Sequence, residues 1–189
     1  MRRLTLAAAI ITASLAVSCG SGASVDDNAA PPVPLPRAWP RTALYDSTYI
    51  PAVADIEVNT STIVTVSPDG HAVDAVYPAY HATLYVTDSR TATVGEADAA
   101  AANRIERMNL NAGGRQSEQT TLVTPVGYEA LVLVTPVGSL TPAQFIARAP
   151  RRVVSGAVVL DRAPVSADSV SPTLDALRRD LLHLITALR

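Results

Sequence analysis

The chain has 189 residues, a net charge of −2 and fifteen basic residues, all of them Arg. No basic run exceeds two residues, so the dense cationic surface that phosphate neutralisation requires is missing and nucleic acid is excluded as a partner. Hydrophobic residues make up 48%, but aromatic ones are limited to one Trp, six Tyr and one Phe, so a core must be packed from aliphatic side chains. The single Cys rules out an internal disulfide and a multi-cysteine metal site.

Residues 1–18 read as a signal peptide. Met1-Arg2-Arg3 supplies the positive end, and the apolar stretch Leu4 to Val17 falls short of the ~20 residues needed to span a bilayer. It closes on Leu15-Ala16-Val17-Ser18-Cys19, the way a bacterial lipoprotein precursor is written. Small residues before Cys19 admit a peptidase, and the thiolate sulfur can be alkylated by a diacylglyceryl group, so Cys19 is the expected lipidation site. Acyl chains contribute about 0.8 kcal/mol per buried methylene, and several together hold a protein on its membrane. Residues 19–40 are Gly, Ser, Asp and Ala followed by Pro31, Pro32, Pro34, Pro36 and Pro40, a composition that cannot form a core and reads as a flexible tether.

The remainder, 41–189, reads as one α+β domain: a mostly antiparallel sheet of about six strands flanked by two helices. Ile56 to Val58 and Ile63 to Val66 are β-branched, Pro68-Asp69-Gly70 supplies a tight turn, and Ala72 to Tyr77 and Ala82 to Thr87 repeat the pattern. Pro78 places Tyr77-Pro78-Ala79-Tyr80 at a link between strands. Thr93 and Glu96 form a capping box, after which Ala101, Ile105, Met108 and Ala112 give one apolar stripe of a helix ended by Gly113-Gly114. Arg104 and Arg107 lie on that helix, toward the negative end of its dipole, as solvated surface.

Leu122-Val123-Thr124-Pro125-Val126-Gly127 recurs as Leu133-Val134-Thr135-Pro136-Val137-Gly138, two similar strand-to-turn segments. Ala130 to Val134 is continuously apolar, as expected of a strand covered by a helix on each side of the sheet. Gln144 to Ile146 and Val153 to Leu160 read as further strands, with Gly156 at a bulge or a close-packed point. The last helix is expected to start with Ser171 as cap and Pro172 in its first turn, Asp175 near the positive end, and a stripe of Leu174, Leu177, Leu181, Leu184, Ile185 and Leu188.

Chemistry is sparse. His71, His81 and His183 have no metalloprotease spacing, although the first two lie on segments that pair as a hairpin and could approach each other. Ser155 lacks the preceding Gly of a nucleophile elbow, and no phosphate-binding loop or dinucleotide fingerprint occurs, since Gly113-Gly114 ends a helix instead of opening one. Asp161 and Asp168 flank Arg162 in what reads as a solvated loop. No catalytic, metal-ligating or cofactor-binding residue is therefore assigned, no cofactor is expected, no small-molecule substrate is evident, and the chain reads as no enzyme.

Four blocks carry a resemblance: Val76-Tyr77-Pro78-Ala79-Tyr80-His81-Ala82-Thr83-Leu84-Tyr85, Thr141-Pro142-Ala143-Gln144-Phe145, Asp168-Ser169-Val170-Ser171-Pro172, and Arg179-Asp180-Leu181-Leu182-His183-Leu184-Ile185. In order and spacing they resemble the GldD family of gliding-motility lipoproteins from Bacteroidetes, as a divergent member. Where that family has Thr-Asp-Ser and an aromatic-flanked Arg-Gly strand, this chain has Ala147-Arg148-Ala149-Pro150-Arg151-Arg152 and then Val153 to Ala157, with Gly156 retained. The resemblance implies a non-enzymatic cell-envelope lipoprotein of the gliding-motility and type IX secretion machinery, working through other envelope proteins. Gly20 and Ser21 after Cys19 lack an acidic inner-membrane retention signal, and Asp26-Asp27 comes late for a surface-export signal, so the expected location is the periplasmic face of the outer membrane. The order of elements is also compatible with a PsbP-like α/β/α sandwich. Two alternatives make structural predictions. A periplasmic binding module or chaperone for lipoproteins or cell wall needs a concave apolar groove, and a hydrolase needs a pocket where His71 or His81 meets a carboxylate.

Overall fold

The β-branched runs do pair as antiparallel strands. The computed structural model describes residues 46–53 and 55–189; the signal peptide, Cys19 and the Pro-rich tether lie outside the described residues. Among these the chain runs β1 (Tyr49–Val53), β2 (Ile56–Asn59), β3 (Ile63–Val66), β4 (Ala72–Tyr77), β5 (Ala82–Arg90), α1 (Val94–Ala112), β6 (Glu118–Val123), β7 (Glu129–Val134), β8 (Ala143–Ala149), β9 (Arg152–Leu160) and α2 (Ala167–Ala187). β1 and β2 form a separate hairpin, and the other strands make one seven-stranded sheet in the order β3-β4-β5-β9-β8-β7-β6. The meander β3-β4-β5 and the meander β6 to β9 are sequential in the chain. They are sewn together by the long β5–β9 pairing, which runs without a break from Ala82↔Leu160 to Arg90↔Arg152.

Side chains alternate between the faces of a strand, so this sheet has two inner surfaces. On one, Val73, Leu84, Val86, Phe145, Val154 and Val158 pack with Val170, Leu174, Leu177, Leu181, Leu184 and Ile185 of α2 and with Ile56 and Val58 of the hairpin. On the other, a smaller cluster joins Ala97, Ala101, Met108 and Ala112 of α1 to Leu133, Ile146 and Val153. The fold is therefore α+β, layered helix, sheet, helix, with seven strands in the main sheet where about six are expected. β7 is covered on both faces, as its apolar run implies. One stripe residue departs from expectation: Ile105 is exposed, standing over a groove at the side of α1.

Local chemistry explains the helix ends. Thr93 Oγ1 accepts the Glu96 N–H at 3.2 Å, and Glu96 Oε2 accepts the Ala92 N–H at 3.0 Å, one residue before the capping-box position. Gly113, with φ +60°, ends α1 by donating its N–H to Asn109 O and Leu110 O. The two Thr-Pro-Val-Gly segments also end strands, with Gly127 and Gly138 both at positive φ. The first closes a tight β6–β7 turn in which Gly127 N–H donates to Thr124 O, whereas the second opens into a longer loop to β8, where Thr135 N–H donates to Pro142 O.

The C-terminal helix starts earlier than its sequence suggests. α2 begins at Ala167 after Ser166, which leaves Pro172 inside the helix, Asp168 in its first turn and Asp175 past it. The extra turn carries Val170, fully buried one step upstream of Leu174. Burying a valine contributes about 2 kcal/mol, which offsets most of the ~3 kcal/mol that a proline costs inside a helix through its missing hydrogen bond and its ring. Pro172→Ala should accordingly stabilise the domain by at least ~1 kcal/mol, a rise in Tm of about 3 °C or more read by circular dichroism; a fall in Tm would mean the pyrrolidine ring itself is a packing element.

Candidate functional site

Helix α1 rests on β8 and β9, reaches Leu133 of β7, and leaves the outer parts of that sheet face uncovered. A groove consequently runs along each of its sides. Toward β6 and β7 the groove is apolar, about 470 Å³, walled by Ala101 and Ile105 of α1 and floored by Val123, Leu131 and Ile146. Arg148 closes it at one side, ion-paired to Asp98 of α1 and to Glu129 of β7.

Toward β5 the groove, about 390 Å³, carries two arginines and several polar side chains beside the apolar Met108 and Leu110. Its floor is low because the residues that β9 turns toward the second half of α1, Ser155 and Ala157, are too small to reach the helix. Arg104, Arg107 and Asn111 of α1 overhang it, and Tyr85 of β5 stands at its outer side, 47% exposed. One wall is fixed by two hydrogen bonds of side-chain amides: Asn111 Nδ2 donates to Gln144 Oε1 at 2.8 Å, and Gln144 Nε2 donates to Met108 O at 3.2 Å. Arg104, Arg107 and the Ser155 hydroxyl make no hydrogen bond or ion pair among the described residues.

The histidines do not assemble a catalytic site. His71 and His81 stand at opposite ends of the β4–β5 hairpin, whose register runs from Ala72↔Thr87 to Tyr77↔Ala82, a separation of roughly 20 Å at ~3.4 Å per residue. His81 does meet a carboxylate, with Nδ1 3.4 Å from Asp161 Oδ2, but the two side chains are 59% and 70% exposed on open surface and not in a pocket. Asp168 is not the loop partner of Asp161 and Arg162, because the early start of α2 takes it into the helix. His183 of α2 is the better-built histidine: Nε2 lies 2.9 Å from Glu57 Oε2, and the Tyr49 ring stacks on the imidazole with centroids 3.5 Å apart. That arrangement pins the β1–β2 hairpin onto α2. Among the described residues no cluster of three His, Cys, Asp or Glu side chains could hold a metal ion, and no helix is long and apolar enough to cross a membrane.

Two buried polar networks escape a reading of the sequence. Arg152, the second Arg of the Arg151-Arg152 pair, is almost fully buried and forks onto Asp88, Nε to Oδ1 and Nη2 to Oδ2, both at 2.8 Å. Its Nη1 reaches Asp55 Oδ2 at 3.1 Å, the Tyr128 hydroxyl at 2.9 Å and the main-chain oxygen of Arg189 at 2.8 Å. Burial acts to lower the guanidinium pKa, but the Asp88 carboxylate and the Tyr128 hydroxyl override it and hold the proton more firmly than usual. The second network centres on buried Asp180 of α2, which accepts from the Tyr49 hydroxyl at 3.1 Å and from Asn59 Nδ2 at 3.3 Å. Burial, and then the Asp180 charge, raise the pKa of the neighbouring Tyr80 phenol. In both networks the partners come from segments far apart in the chain, so no local pattern could have announced them.

Cys19, the one residue assigned a function by its sequence context, lies outside the described residues. No protein-family model matches the chain, and no curated protein is significantly similar to it.

Proposed function

We propose that this chain is a lipid-anchored cell-envelope protein that works by binding, its α+β domain presenting the α1 face of the sheet to a ligand or partner. The observation that carries the reading is that α1 covers only the middle of that face and leaves a groove on each side, one apolar and one basic. The apolar groove is what a periplasmic binding module or chaperone requires, and the guanidinium groups of the other, unpaired among the described residues, are what a binding surface keeps in reserve. Supporting the anchor is the run Leu15 to Cys19 after a basic and apolar leader. The narrower place in a gliding-motility and type IX secretion apparatus is carried by the four sequence blocks alone.

Two experiments test this. Cys19→Ser should move the protein from the membrane pellet to the soluble fraction, and mass spectrometry of the wild-type N-terminal peptide should find the acyl-modified Cys19 in place of residues 1–18; an unlipidated protein with its leader attached overturns the anchor. Cross-linking of the tagged protein in its own envelope should recover partners through α1, and recovery of motility or secretion subunits would establish the narrower assignment.

A further inference from the structure

We propose that the basic groove between α1 and β5 binds a small sugar acid, a single carboxylate or phosphate carried on a hydroxylated ring; this deepens the binding reading above and rests on it. Arg104 and Arg107 are one helical step apart, i and i+3, so two like charges share a face of α1 at a small cost to the helix. The acidic residues that could relieve them are engaged elsewhere or lie off that face: Glu96 caps the helix, Asp98 pairs with Arg148, and Glu106 has neither arginine at three or four positions' distance. The helix dipole gives no compensating reason either. Its influence fades within the last turn, and the last turn of α1 holds no basic residue. Two guanidinium groups without counter-ions among the described residues, over a concave floor, are a place for an anion, which they can grip through parallel N–H donors.

The rest of the groove specifies what carries the anion. Tyr85 offers an exposed aromatic face opposite the arginines, a platform for the C–H face of a ring. The Ser155 hydroxyl, 94% buried as a residue and without a partner among the described residues, and the Asn111 amide line the floor and wall between them, where ring hydroxyls need donors and acceptors. At about 390 Å³ the space suits one or two sugar rings. Asp74 of β4 sits directly opposite Tyr85 in register, on the same sheet face, and makes no hydrogen bond or ion pair among the described residues. Its charge beyond the platform repels a polyanion running across the strands. A ligand with one acid group, placed toward α1, satisfies both ends.

The full chain, purified in detergent, is titrated by calorimetry with glucuronic acid, glucose 6-phosphate, glucose and inorganic phosphate. At least one of the two sugar acids should bind tenfold or more tightly than glucose and than phosphate alone, and the preferred one identifies the anion as carboxylate or phosphate. The double variant Arg104→Ala, Arg107→Ala should bring that affinity down to the level of glucose, and Tyr85→Ala should weaken it about tenfold, with Tm unchanged in both because the side chains are on the surface. Equal affinity for glucose and the sugar acids, phosphate binding as tightly as either, or variants that bind like wild type would each overturn the proposal. Cys19→Ser should leave these affinities unaltered, so failure here is distinguishable from failure of the anchor, which fractionation reads.

Discussion

Arg152→Ala should be the most damaging single substitution in the domain, lowering its stability by about 3–5 kcal/mol and its Tm by ~10 °C or more. The side chains of Arg152 and Asp88 are only 10% and 9% exposed, so removing the guanidinium strands a carboxylate that water cannot reach. Breaking a buried pair from one side costs far more than the pair is worth intact, because the surviving charge keeps its desolvation penalty and loses its compensation. The damage also spreads. Arg152 joins β9 to Asp88 on β5, Asp55 in the β1–β2 turn, Tyr128 ahead of β7 and the main chain at Arg189 beyond α2, so one deletion loosens five segments. Arg152→Lys keeps the charge but not the fork, and should recover less than half of the loss. A paired Arg152→Leu, Asp88→Leu variant supplies the control: if desolvation is the origin, it is more stable than Arg152→Ala alone in urea titration. An Arg152→Ala protein that melts within 2 °C of wild type, a loss of no more than about 1 kcal/mol, would show that water already reaches Asp88.

What the sequence reveals of this fold follows from the range of the interaction involved. Thr93 with Glu96, Gly113 after Ala112, and the Leu174 to Leu188 stripe are legible because cap, stop and packing face are all written within one helix. The start of α2 is not, because the case for Ala167 is made by Val170 entering a core built from other strands, against the local signal of Pro172. β1 also goes unrecognised, since Pro51 interrupts it and its partner β2 together with the Tyr49 to Asp180 bond supply the stability that Tyr49–Val53 lacks alone. The groove is half legible. Arg104 and Arg107 read as solvated helix surface, which they are, but the emptiness beneath them depends on the small side chains of Ser155 and Ala157 arriving under that helix by way of the β5–β9 pairing.

Gly156 is where the sequence leaves two readings open, a bulge or a close approach, and the second predicts a large effect of adding one carbon. The β5–β9 and β8–β9 registers both pass through Gly156 without a shift, to Val86 and Phe145, so there is no bulge. A Cβ built on Gly156 would lie 2.5 Å from Phe145 Cε1 and 2.5 Å from the main-chain oxygen of Tyr85. Contacts that short cannot stand, and the second cannot be relieved by a rotamer change, because the oxygen belongs to a paired central strand. Gly156→Ala should therefore cost ~3 kcal/mol, the upper end for overpacking a core, and lower Tm by about 6–12 °C. The backbone is not the source of the strain, since Gly156 does not adopt the positive φ that favours glycine. Gly156→Ala combined with Phe145→Leu separates the two obstacles: the ring contact is removed while the Tyr85 oxygen remains, so the double variant should regain only part of the stability expected from its smaller side chain. Additivity of the two substitutions in urea titration would mean that Phe145 and residue 156 do not touch, and would place the β8–β9 register, and with it the floor of the groove, in the wrong position.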